Sequence, residues 1–395
     1  MITLDIFCNV IDNYGDAGVC LHLARTLSHQ DYQVRLFCNN LSVLNTIINE
    51  QDPSNNKLEV VNWESPLTSY QPASVVISAF NCRFDECTLQ ALRNSPQCII
   101  INLEYLSAES WVEDCHGLTS FVDGLSVYYF FPGFTAKTGG LNVDTSFKEH
   151  CLIVLQKLKQ YFDSLDTTLE IDKKRSLTLF GYHNPQVAKL IDSLKRSAYH
   201  NELLVFEGLA LDNLQEQLSQ EFSLTHKTAL NSQLEITVSP MVSHERYDEL
   251  LLSHDFNLVR GEDSIVRAMH TGHPFLWHIY PQDEKAHIVK LSSFLEVMEK
   301  ICTKSIPELM TTKSNSSETE PYIPLSQEHL EHAFALIKHT MLAYNGAENF
   351  EDNFDIDEFE RVCAPVYYNF AYYLCQQPDL GASLDTFIKG KLNLS

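Results

Sequence analysis

The strongest constraint on this fold lies in the first forty residues. Residues 3–11 (TLDIFCNVI) form a nearly unbroken apolar run that reads as a strand buried on both faces. The segment NYGDAG reads as a turn, VCLHLARTLS as an amphipathic helix, and YQVRLFC as a second strand. Strand, loop, helix and strand in that order announce a parallel, doubly wound sheet. Further strands are expected at 57–62 (KLEVVN), 74–78 (SVVIS) and 98–103 (CIIINL), with a first domain over residues 1–150.

A second α/β pattern begins near residue 176. SLTLFGY reads as strand and turn, PQVAKLIDSLKRSAY as helix, and LLVFEG, LEITVSP and DFNLVRG as short strands. The expected architecture is α/β, with two doubly wound, Rossmann-like domains at 1–150 and 151–357. Residues 303–324 are rich in Ser, Thr and Pro and are expected to be a surface loop or partly disordered. The last segment, 358–395, starts with a long aromatic stretch compatible with a helix apart from Pro365, and could pack back across both domains. Two such domains bind ligands between the carboxyl ends of their sheets.

The 395 residues include 52 acidic and 28 basic side chains, for a net charge of −24. Such a surface repels phosphate backbones and anionic membranes, so neither nucleic acid nor membrane is an expected partner, whereas a basic protein would be attracted. The eleven cysteines lack metal-type spacing, and Cys8, Cys38 and Cys98 sit in apolar runs. They read as buried thiols in a reducing compartment, which suggests a cytoplasmic location. No signal-peptide pattern opens the chain and no apolar run reaches membrane-spanning length.

Three segments could carry chemistry. In the first, Asp12, Asn13, Tyr14, Gly15 and Asp16 follow the first strand. Two carboxylates there could act as base and orienting partner, or simply as turn and cap residues. In the second, Arg260-Gly261-Glu262-Asp263-Ser264 joins an apolar strand to a helix. A helix start beside a guanidinium suits a diphosphate, and Glu262 could accept from sugar hydroxyls. The same residues could also be an ordinary helix cap made by Asp263 or Ser264. The third, PFLWHIYPQ (274–282), reads as the next strand, with Gln282 at its cleft-facing end. His278 alone reads more readily as a core histidine than a catalytic one. No HExxH or paired ligand spacing occurs, so no metal site is expected. Asp355 and Asp357 form a D-x-D within the acidic run ENFEDNFDIDEFE, which reads as a solvated loop.

Taken together, DIFCNVIDNYGDAGV, INLEYLSAESWVE, YFFPGFTAKTGGL, LFGY, RGEDSIVRA and PFLWHIYPQ resemble one family over nearly the whole chain. It is the bacterial protein-arginine rhamnosyltransferases that modify translation elongation factor P, the EarP family. The resemblance implies a GT-B fold, an amino-terminal domain for the acceptor protein and a carboxy-terminal domain for dTDP-β-L-rhamnose. It implies inverting transfer of rhamnose to an arginine, without metal or cofactor, activating elongation factor P for ribosomes stalled at polyproline. By the same resemblance Asp16 is the general base, with Asp12 close by and Glu262 required. Asn13, Tyr14 and Gly15 complete the acceptor-side loop. Phe180, Tyr182, His244, Tyr247, Arg260, Asp263, Ser264 and Gln282 are the implied donor-binding residues. The chain departs from the family pattern at Met241 and His244, where members often carry Phe and Gln near the base. A sugar-nucleotide epimerase or hydrolase on the same fold, or a non-catalytic binding module, are the competing readings.

Overall fold

The computed structural model describes residues 1–11, 13–48, 55–64, 66–164, 174–313 and 321–393. They form two compact units: Met1–Thr145 with Ser243–Glu245 and Gln377–Ser395, and Ser146–Val242 with Arg246–Gln376.

In chain order the first unit holds β1 (Ile2–Cys8), α1 (Asn13–Ser28), β2 (Tyr32–Cys38), α2 (Leu41–Ile47), β3 (Leu58–Asn62) and β4 (Val75–Ala79). It continues with α3 (Glu86–Arg93), β5 (Ile99–Leu103), α4 (Val112–Cys115), β6 (Thr119–Val122) and β7 (Leu125–Phe130). The sheet order is β3-β2-β1-β4-β5-β7-β6. All pairs are parallel except β6 with β7. The expected strand at 3–11 thus ends at Cys8. NYGDAG is no separate turn, because α1 already starts at Asn13. A first helical turn has no intrahelical partners for its N–H groups, so Asn, Gly and Asp are tolerated there. Burial of Ala17, Cys20, Leu21 and Ala24 against the sheet outweighs the glycine cost of about 1 kcal/mol.

The alternation of β1 explains why it reads as apolar throughout. Leu4, Ile6 and Cys8 join one core with α1. Phe7 faces the other side, stacked on Phe37 (4.6 Å) and edge-on to Trp63, Tyr70 and Phe84. The one charged residue of that strand, Asp5, is fully buried. It is satisfied by Arg35 (2.7 and 2.9 Å), by the Tyr70 hydroxyl (2.6 Å) and by the Ala73 N–H (3.0 Å).

The second unit starts with α5 (Thr145–Ser164), whose first residue belongs to the first unit, followed by β8 (Lys174–Leu179), α6 (Val187–Arg196), β9 (His200–Phe206) and α7 (Leu209–Leu218). Then come β10 (Lys227–Ala229), β11 (Leu234–Ser239), α8 (His244–Ser253, whose first two residues belong to the first unit), β12 (Phe256–Arg260), α9 (Gly261–Thr271) and β13 (Phe275–His278). Four helices follow: α10 (Ala286–Lys300), α11 (Ile306–Lys313), α12 (Gln327–Tyr344) and α13 (Ile356–Cys375). The sheet order is β10-β11-β9-β8-β12-β13, parallel except for β10 with β11. The segment expected as a loop over 303–324 is helical as far as Lys313. Burial of Cys302 and Ile306 supplies the reason, and 314–320 lies outside the described residues. Helix α13 runs through Pro365, since buried Val362, Val366, Tyr367 and Phe370 hold it on both sides of the proline. The last helix, α14 (Leu380–Lys391), belongs to the first unit: Leu380, Leu384 and Ile388 enter the α1 core, and Tyr32 donates to Asp385 (2.9 Å).

The acidic run before α13 is only partly solvated. Arg175 on β8 is 1% exposed and reaches Asp357 (2.7 Å) and Glu360 (2.6 Å). Burial raises Asp357, but hydrogen bonds from Ser197, Ala198 and Arg175 bring its pKa below the usual range. Burial pushes Glu360 up. Arg175→Met should therefore cost about 3 kcal/mol, because it strands two carboxylates without their cation. Urea unfolding would show this as a lowered midpoint; a loss under about 1 kcal/mol would mean that solvent already satisfies both carboxylates.

Candidate active site

In the first sheet the strand order reverses between β1 and β4, the switch point at which doubly wound sheets open for ligands. Asp16 sits there, 2% exposed, in the first turn of α1. Its carboxylate accepts from the Ile11 N–H (2.7 Å) and from the Tyr105 hydroxyl (3.2 Å). Tyr105 in turn lies flat on Phe80 (4.0 Å, 8° between planes). Phe80 and Asn81, which follow β4, lie in the left-handed region (φ 57° and 58°). Bulky residues rarely adopt it, at a cost of about 1–3 kcal/mol each. The turn is held to β5 by Phe80 N–H to Leu103 (2.7 Å) and Asn81 N–H to Asn102 (3.0 Å). A strained turn thus carries Phe80, Phe80 carries Tyr105, and Tyr105 orients Asp16. Asn13, Tyr14 and Gly15 open α1, and Asp12 lies outside the described residues.

His244, implied at the donor site, groups with the first unit. Its Nδ1 lies 3.0 Å from Arg25, and its ring stacks on His22 at 4.0 Å.

In the second sheet the order reverses between β8 and β12. Two candidate segments meet at this point: Phe180 follows β8 and donates its N–H to Leu258 of β12, while Arg260 ends β12. Gly261 has φ 64°, the left-handed backbone that lets a strand turn directly into a helix. Helix α9 therefore starts at Gly261 and not near Ser264, and its cap residue is Arg260, not Asp263 or Ser264. An arginine side chain cannot accept a hydrogen bond, and none caps the helix from this position. Helix start and guanidinium together favour an anion. Glu262, Asp263 and Ser264 all lie in this first turn, Asp263 and Ser264 buried and Glu262 half-buried. Trp277 locks the turn through a 2.8 Å bond to the Gly261 carbonyl.

The Arg260 guanidinium lies against the rings of Phe180 (4.5 Å) and Tyr182 (4.6 Å). Phe180 also contacts Tyr247 and Phe206 (both 5.7 Å). Burial raises the Tyr247 hydroxyl pKa, so this phenol stays neutral. The structure thus gathers Phe180, Tyr182, Tyr247 and Arg260 around one helix start. Gln282 is exposed beyond β13, where its backbone N–H donates to His287 (3.0 Å). Reading the sequence alone did not single out Tyr105 and Phe80 in the first unit or Phe206 and Tyr280 in the second, and it took His278 as a core histidine. Tyr105 and Tyr280 each follow an apolar strand at its carboxyl end, a signal that was available.

The D-x-D pair has other duties. Asp355 caps α13 by accepting from Asp357 and Glu358 N–H groups, and Asp357 holds Arg175. His200, Glu202 and Glu235 bring ligand atoms together on β9 and β11. Lys227 approaches both carboxylates there (3.9 and 3.5 Å), placing an ammonium at that spot.

The family described as elongation factor P (EF-P) rhamnosyltransferase EarP matches residues 4–389. A protein-arginine rhamnosyltransferase of Pseudomonas putida is 39% identical over 304 residues, covering 74% of this chain and 80% of the relative. One from Pseudomonas aeruginosa is 37% identical over 308 residues, covering 75% and 82%. A solved structure showing the basis of EarP-mediated arginine glycosylation of translation elongation factor EF-P superposes with a TM-score of 0.59. It shares 24% identity and covers 99% of both chains, and it supports the GT-B arrangement of two doubly wound sheets. The match over nearly the whole length places this chain in the EarP family of elongation factor P rhamnosyltransferases, enzymes that glycosylate a protein arginine.

Proposed function

We propose that this enzyme transfers L-rhamnose from dTDP-β-L-rhamnose to an arginine of elongation factor P, with inversion and without a metal ion. The observation that carries this reading is Arg260 at the cap of α9, with its guanidinium against Phe180 and Tyr182. A leaving diphosphate needs positive charge as the glycosidic bond breaks. Arg260 and the N–H groups of the helix start supply it in place. Aromatic rings beside that charge suit a thymine base. Asp263 and Ser264 belong to the same diphosphate-facing turn, and Glu262 stands ready to accept from sugar hydroxyls.

The acceptor is a guanidinium, protonated and delocalised, hence a poor nucleophile. Attack requires that a carboxylate hold it and take its proton as the C–N bond forms. Asp16 fits that role, because the Ile11 N–H and Tyr105 hydroxyl fix its orientation. A single in-line displacement through an oxocarbenium-like state inverts the anomeric carbon. The acidic surface favours approach of a basic segment on the acceptor protein. The eleven free cysteines suit a reducing, cytoplasmic setting. Mass spectrometry of elongation factor P after mixing with enzyme and dTDP-rhamnose tests the whole reading. One deoxyhexose on an arginine is expected; donor turnover that ignores the acceptor would point to a hydrolase or epimerase instead.

Asp16→Asn should keep donor binding and lose transfer by roughly 10²–10⁴-fold, as loss of a general base does. Retention of more than about a tenth of the rate refutes the base role. Arg260→Ala should weaken dTDP binding by roughly 1.5–3 kcal/mol in calorimetry. Unchanged affinity would leave the helix start alone as the phosphate site. Transfer should survive EDTA and gain nothing from Mg²⁺. A loss on chelation that Mg²⁺ restores would overturn the metal-free mechanism.

A further inference from the structure

The geometry points to His278 as a further donor-binding residue, hydrogen-bonded to hydroxyls of the sugar. This rests on the reading that the second unit holds a nucleotide sugar. His278 ends β13 and is the in-register partner of Arg260, which ends β12. Register partners on parallel strands project to the same face of the sheet, so the imidazole and the guanidinium share one side at its carboxyl edge.

Arg260 touches one ring in each of two aromatic groups. Phe180 belongs with Phe206 and Tyr247, and Tyr182 belongs with His278 (5.2 Å) and Tyr280 (5.6 Å). A nucleotide sugar carries its diphosphate in the middle. With the guanidinium on the diphosphate, one group takes the base and the other the sugar. Phe180, backed by buried Phe206 and Tyr247, offers a flat, apolar face suited to a planar base. Tyr182, Tyr280 and His278 combine apolar faces with polar atoms, the mixture that a 6-deoxyhexose presents in return.

His278 is 6% exposed, and its Nδ1 is buried with no hydrogen-bond partner in the protein. Such an atom costs free energy until something satisfies it. Burial, reinforced by nearby Arg260, lowers its pKa to about 4. The ring is therefore neutral at physiological pH, with one nitrogen that donates and one that accepts. A hydroxyl, itself both donor and acceptor, matches either nitrogen.

Calorimetry on the full chain with dTDP and with dTDP-rhamnose decides the matter. His278→Phe keeps the ring against Tyr182 and removes both nitrogens. It should bind dTDP as the wild type does and lose dTDP-rhamnose affinity about tenfold, the worth of one buried hydrogen bond. His278→Gln should recover most of that loss. In the wild type, the His278 ring nitrogen signals in ¹⁵N NMR should shift with dTDP-rhamnose and stay still with dTDP, a readout that needs no variant to fold. Equal affinity of His278→Phe for dTDP-rhamnose, equal losses for both ligands, or unmoved nitrogen signals would each overturn the assignment. A wild type that binds neither ligand would overturn the donor reading itself, and this residue's role with it.

Discussion

Both units depend on parallel strand pairing at one place: β1 beside β4 in the first sheet, and β8 beside β12 in the second. Parallel pairing sends every crossover helix back along the sheet and leaves all carboxyl ends on the same edge. Where the order reverses, the helices diverge and the edge opens. Asp16 occupies that position in one sheet, and Phe180 with Arg260 occupies it in the other. The candidate side chains therefore sit at strand ends and first helical turns, and the hydrogen-bond ladders of the two sheets fix where they stand.

The second unit shows how differently a buried arginine can be used. Arg175 and Arg267 are almost wholly buried and face carboxylates: Asp357 and Glu360 for the first, Asp248 for the second. Both fasten one element to another. Arg260 is nearly as buried but is set against the rings of Phe180 and Tyr182, at a helix start that favours negative charge. Its guanidinium thus stands beside a helix start, where the partial positive charge of the free N–H groups adds to its own.

Much of this was legible from the sequence wherever the signal is local. The apolar runs around Phe7, Ile77 and Leu258 announce buried parallel strands, and Arg260-Gly261 announces a strand that turns into a helix. Less legible were features set by contacts distant in sequence. α1 begins at Asn13 because its later residues bury themselves on the sheet, overriding the turn propensity of Asn and Gly. Tyr105 reaches Asp16 across 89 positions, and Phe80 takes a backbone conformation that its side chain disfavours. No local pattern encodes either. His278 reads as an ordinary core histidine until its register with Arg260 is known.

The placement of α14 bears on how the chain is made. The ribosome emits β1 long before α14, with the whole second unit between them, yet Leu380, Leu384 and Ile388 complete the core that α1 begins. Leu141 bridges to Asp379, and Gly381 fits against Thr26 so closely that an added Cβ would lie 2.5 Å from its methyl group. The nascent amino-terminal unit thus emerges with an apolar strip of α1 uncovered, and that strip stays bare while the whole second unit is synthesised. Its closure awaits synthesis of α14. Over that interval the half-finished first unit is the species on which chaperones and proteases would act.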